Sequence, residues 1–156
     1  MNSFEVPSST IDDLDISHSF EDNDERYFSE VVGHIEEIIM NENFQSIQQD
    51  FMEKHWTQFE DDEENRLIYT DIFKEYQNTV EKYIEKSLLE KMPHFDPNKF
   101  DEELSNRKFE LEGEIFEMLS TFSNFISFKN MFIDYKKMKE EKLAELSFHI
   151  SVLKYN

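Results

Sequence analysis

Cysteine is absent from the 156-residue chain, which excludes disulfides, thiolate nucleophiles and cysteine-ligated zinc. Glycine occurs twice (Gly33, Gly113) and proline three times (Pro7, Pro93, Pro97). Sheets need turn residues every several positions, so this scarcity of breakers points to long helices joined by short loops. Two isolated glycines cannot build a phosphate-cradling loop, and no Gly-x-Ser-x-Gly elbow occurs. No stretch approaches the roughly 18 apolar residues of a membrane span. Met1 to Phe20 has neither the basic region nor the continuous apolar run of a signal or transit peptide. Positive charge is scarce too, with 16 Lys+Arg against 36 Asp+Glu and a net charge of −20. Nucleic-acid binders place cations on phosphates, so this balance argues against nucleic acid and equally against direct contact with anionic membranes. A basic or neutral protein partner suits such a surface, with electrostatics mainly speeding encounter.

What is present is apolar mass in helical rhythm. Hydrophobic residues make up 38% and aromatics 15%, with 16 phenylalanines, and a domain of this size buries roughly 70% of its unfolded surface. Residues 1–24 mix Ser, Asp and Glu with isolated apolar residues and read as a disordered acidic tail. From Glu25, the residues Phe28, Val31, Val32, Ile35, Ile38 and Ile39 share one face of a first helix. Gly33 lies inside it at a cost of about 1 kcal/mol against Ala, explained either by close approach of another helix or by tolerance. Asn41 or Asn43 can cap a second helix carrying Phe44, Ile47, Phe51, Trp56 and Phe59.

The acidic run Glu60 to Glu64 suits the start of a third helix, since carboxylates favour that end of the dipole. Along it Ile68, Ile72, Tyr76, Val80, Ile84 and Leu88 step by four, until Pro93 stops it near Met92. Tyr69, Ile72, Tyr76 and Trp56 are expected in the core. Asp96-Pro97 supplies an N-cap and a proline at the first position of a fourth helix, with Phe100 and Leu104. A fifth carries Leu111, Ile115, Met118, Leu119 and Phe122, and Ser123 can cap a sixth with Phe125, Phe128, Met131, Phe132 and Tyr135. The pattern predicts an all-α chain: one compact helical domain over 25–137 and a Lys/Glu-rich extension over 138–156, partly helical or disordered.

Catalytic chemistry is hard to find. A di-iron bundle places Glu-x-x-His on two helices, yet none of His18, His34, His55, His94 and His149 has a Glu three residues before it, and His-Glu-x-x-His is absent. The acidic clusters 21–25 and 61–64 lack the alternating ligands and central glycine of an EF-hand loop. No catalytic, metal or cofactor residues are therefore assigned. Hydrophobic excess late in the chain stands out instead. From Ile115 to Tyr135 the apolar residues cover more than one helical stripe. That describes either a doubly buried helix or the wall of an exposed groove, and Met118 and Met131 suit an adaptable binding surface.

The run Phe59-Glu60-Asp61-Asp62-Glu63-Glu64-Asn65-Arg66-Leu67-Ile68-Tyr69-Thr70-Asp71-Ile72-Phe73-Lys74-Glu75-Tyr76 resembles the signature of the BART domain family, and Val80 to Glu85 continues it. So do Val32 to Met40 upstream and Phe125 to Tyr135 downstream, and the resemblance covers about residues 26–137. It implies a monomeric, non-enzymatic six-helix effector of Arf-like small GTPases in the GTP state. The GTPase's N-terminal amphipathic helix would enter a hydrophobic groove. Carried onto this chain, the groove falls to Leu88, Leu111, Ile115, Met118, Leu119, Phe122, Phe125, Phe128, Met131 and Phe132, some of which must be core. Glu60, Asp61, Asp62 and Glu63 would meet basic residues near the GTPase switches, or else cap a helix. The alternative is a nucleotide-independent adaptor docking amphipathic helices of other proteins, a STAT transcription factor among them. Cytoplasm, centrosome or ciliary base, nucleus and mitochondrial intermembrane space are the compartments the family implies.

Overall fold

The computed structural model describes the backbone of residues 8–107 and 113–155, with side chains from Asn23 onward. Six α-helices and no strand occur among the described residues. They are α1 (Ser8–Met40), α2 (Glu42–His55), α3, α4 (Pro97–Asn106), α5 (Glu114–Ser123) and α6 (Phe125–Tyr155). Helix α3 runs Leu67–Tyr76, passes through a π-helical turn at Gln77–Glu81 and continues as Lys82–Lys91. A 3-10 turn, Trp56–Gln58, follows α2. The helical backbone begins at Ser8, and the acidic tail expected over 1–24 lies almost wholly outside the described side chains.

Local chemistry sets most boundaries. Asn41 Oδ1 accepts from the Asn43 N–H at 2.8 Å, relieving one of the donors left free at the start of α2. Asp96 Oδ1 does the same for Asn98 (3.0 Å) and Lys99 (3.5 Å), with Pro97 at the first helical position of α4. Gly113 precedes α5 at φ 125°, a conformation strained for any residue with a Cβ. Asn124, one residue later than the Ser123 expected, caps α6. Its Oδ1 accepts from the N–H groups of Ile126 (2.9 Å) and Ser127 (3.1 Å). Asn124 alone separates α5 from α6 and holds the extended backbone that an N-cap requires.

The core is aromatic. Phe59 stacks between Tyr69, with ring centroids 4.5 Å apart, and Phe132, at 4.2 Å. Tyr76 packs against Phe51, Phe122 and Phe128 at 5.0–5.3 Å. Tyr69, Ile72 and Tyr76 are buried as expected, whereas Trp56 is only half-buried against the core edge. A Cβ on Gly33 would meet nothing within 4 Å, so among the described residues no second helix approaches it and the glycine is merely tolerated.

The acidic run does not open α3. That helix starts at Leu67, behind Arg66, with no side-chain cap, and the carboxylates lie in an irregular loop ahead of it. The reason is tertiary. Buried Lys129 of α6 donates to the carbonyls of Asp62 (2.6 Å) and Glu64 (3.3 Å) and to Asn65 Oδ1 (3.0 Å). Lys136 donates to the Phe59 carbonyl at 2.7 Å, and the Glu60 N–H donates to Tyr69 Oη at 3.0 Å. A loop whose carbonyls are drawn toward α6 cannot spend them on helix. Past Lys139, α6 continues unbroken to Tyr155 with every described residue exposed.

Candidate functional site

Helices α4, α5 and α6 enclose a cleft of about 1100 Å³, backed by Gln48 of α2. Leu104 from α4, Phe116, Met118 and Leu119 from α5, and Met131 from α6 form its apolar part, in a lining otherwise mostly of polar residues such as Ser120, Ser127 and Asn130. Glu114, Glu117 and Asp134 are the charged residues among the described lining, so its charge is of one sign.

The wall helix α5 is held by α3 at its π-helical turn. Tyr76 Oη lies 3.0 Å from Thr121 Oγ1, and Gln77 Nε2 donates at 2.8 Å to the Phe122 carbonyl, one of those left without a partner at a helix C-terminus. Burial pushes the Tyr76 hydroxyl above its ordinary range, so it stays protonated at neutral pH. From behind, Gln48 Nε2 donates to Met118 Sδ at 3.2 Å and approaches Met131 Sδ at 4.0 Å, bringing the two methionines together. Ser120 and Ser127 share a 2.8 Å hydroxyl contact joining α5 to α6. The floor is thus soft, sulfur-rich and polar in places, a surface that can adapt to an apolar side chain.

Of the residues expected to line a groove, Met118, Leu119 and Met131 do line this cleft. Ile115 and Phe125 are half-buried and pack against the core. Leu88, Phe122, Phe128 and Phe132 are buried in the core itself, none more than 5% exposed. Leu111 lies outside the described residues. Phe128 and Phe132 sit one turn apart on the face of α6 that meets Phe59, while Met131 lies on the flank turned to the cleft. The apolar excess on this helix is therefore divided, with Phe128 and Phe132 in the core and Met131 on the cleft side. Gln48, Leu104 and Phe116 were not anticipated. Phe116 and Leu119 are three apart, a usable helical signal, whereas nothing in the sequence marks Gln48.

The four acidic residues of the 60–63 loop are not equivalent. Glu60 lies 3.4 Å from Lys136 and Asp61 3.4 Å from Lys137. Among the described residues no cation pairs with the carboxylates of Asp62 or Glu63, which face solvent. No cluster of three metal-ligating side chains occurs among the described residues, and no described helix is long and apolar enough to cross a membrane.

Comparison with known proteins meets this geometry. The profile of the family described as the ARF-like 2 binding protein BART matches residues 27–141. The chain is 50% identical over 129 residues to the ADP-ribosylation factor-like protein 2-binding protein of Gallus gallus, covering 83% of each chain. It is 48% identical over 129 residues to the Homo sapiens protein of that name, covering 83% of this chain and 79% of the relative. The Xenopus laevis relative is 50% identical over 119 residues, 76% of each chain.

Proposed function

The chain belongs to the BART family, and from that premise we propose that it is a non-enzymatic effector of Arf-like small GTPases. It captures the amphipathic N-terminal helix of the GTP-loaded partner in the cleft between α4, α5 and α6. What supports this reading is the open cleft, whose mixed lining holds an apolar patch of Leu104, Phe116, Met118, Leu119 and Met131, in a chain whose relatives carry the name ADP-ribosylation factor-like protein 2-binding protein. Each leucine or isoleucine fully buried there contributes about 1.5–3 kcal/mol, so three or four anchors carry most of a micromolar-or-better affinity. Nucleotide dependence follows because the GTP state both frees the helix and orders the switch loops. Asp62 and Glu63 then meet cations beside the switches, while Glu60 and Asp61 must first exchange their lysines on α6.

The test is calorimetric titration with ADP-ribosylation factor-like protein 2, loaded with a non-hydrolysable GTP analogue or with GDP. Binding to the analogue form alone, lost when the GTPase's N-terminal helix is deleted, is the expected result. Met118→Glu, which places a charge on the cleft wall, weakens binding about 30-fold, or ~2 kcal/mol; because Met118 is half-buried and packs against the core, circular dichroism of the variant checks that the loss is not one of folding. Equal binding in both nucleotide states would instead favour a nucleotide-independent adaptor for amphipathic helices, such as one from a STAT transcription factor. No binding in either state refutes the proposal.

A further inference from the structure

Helix α6 outruns the domain. Every residue from Glu140 to Tyr155 is exposed, in helical conformation throughout, although an isolated helix of this length is marginal in water. Its apolar residues are not scattered. Leu143, Leu146, Ile150 and Leu153 recur at spacings of three, four and three, the a and d positions of two heptads. They are 54%, 56%, 58% and 76% exposed, and no described residue covers them.

We infer that this seam pairs with the same seam of a second copy, antiparallel, in place of the monomer that the family resemblance implies. The register is self-complementary. Leu143 layers on the partner's Leu153 and Leu146 on the partner's Ile150, and the two-fold axis repeats both layers. In that register Glu140, at an e position, faces Lys154, also at e, of the opposite helix, so two ion pairs flank the apolar layers. Among the described residues Glu140 is paired with Lys136 at 3.8 Å, a contact it can share.

Charge selects both the partner and the direction. The chain carries a net charge of −20, yet the projecting stretch is close to neutral, with Glu140, Glu141 and Glu145 against Lys142 and Lys154. Two copies therefore meet there without strong repulsion. A parallel pair would set the two acidic domains side by side. An antiparallel pair holds them about 24 Å apart, the length of sixteen helical residues, which is roughly three Debye lengths at physiological salt. Phe148 and Val152, at f and c positions, stay at the surface of the pair.

Sedimentation equilibrium of the full chain over a concentration series tests the pairing. The weight-average mass is expected to climb from 19.0 kDa toward twice that value. Leu146→Glu with Ile150→Glu holds it at the monomer value, in side chains that touch nothing in the domain. Glu140→Lys and Lys154→Glu each weaken association, and the double swap restores it. The absence of cysteine makes Tyr155→Cys a unique spin-label site. The antiparallel register puts the two labels about 20–25 Å apart, against roughly 10 Å in a parallel pair. A monomer at every concentration, a dimer that survives the double glutamate variant, or the short label distance overturns the inference. So does hydrogen-exchange protection of 143–153 that vanishes on removing residues 1–22, since the occupant would then be the chain's own N-terminal segment.

Discussion

Replacing Lys129 by methionine removes the clasp between α6 and the acidic loop while keeping the length of the side chain. The Lys129 ammonium gives one hydrogen to each of the Asp62 carbonyl, the Glu64 carbonyl and Asn65 Oδ1, and it sits 5.7 Å over the Tyr69 ring. Hydrogen bonds to a charged group contribute about 1.5–3 kcal/mol each, so a naive sum reaches roughly 5–9 kcal/mol. Two effects reduce it. Residues 61–66 are exposed, so their acceptors regain water once the lysine is gone, and methionine avoids the cost of burying a charge. The expected net loss is about 2 kcal/mol, which at a urea slope near 2 kcal/mol/M lowers the midpoint by about 1 M. Hydrogen exchange should rise locally, at the amides of Glu60 to Leu67, ahead of the core helices. An unchanged midpoint with unchanged exchange in this loop would show that the lysine does not hold it and that the loop conformation is intrinsic.

Three further predictions concern stability. Gly33→Ala fills open space on a helix and should stabilise the protein by about 0.5–1 kcal/mol in urea unfolding; destabilisation would mean that something approaches there after all. Asp96→Ala uncaps α4 and should cost about 1 kcal/mol, roughly 3 °C in the thermal midpoint. Burial pushes His55 below its ordinary 6.5, with Glu75 only partly opposing. The unfolded chain therefore takes up this proton first, and the His55 contribution to stability, intact above pH 6.5, is lost as pH falls from 6.5 through the lower folded value. His55→Gln should flatten the stability profile across that window, and a slope unchanged between wild type and variant would assign it to other groups.

Much of this fold was legible because its signals are local. The step-by-four run from Ile72 to Leu88, the caps at Asn41 and Asp96 and the stop before Pro93 each depend on residues within a turn or two of one another, so a period and a cap mark them without knowledge of neighbours, although Ile68, the first step of the expected run, is exposed. The BART signature likewise lies within contiguous runs, which is why family and helical class were readable before any coordinates. The cleft was legible only in part. Helical period says which residues share a face but not which neighbour that face meets, so Phe128 and Phe132 could not be told from Met131 until α2 and α3 were in place beside α6. Gln48 lies seventy residues from Met118, and no local pattern links them. The acidic run from Glu60 to Glu64 carries the marks of a helix start. Only Lys129 and Lys136, more than sixty residues downstream, turn it into a loop by drawing its backbone carbonyls away. By itself the sequence determined most of the helices and what family they build. The tertiary structure decided which apolar faces close into core and which stay open as a cleft, because burial belongs to pairs of surfaces and not to a single stretch of chain.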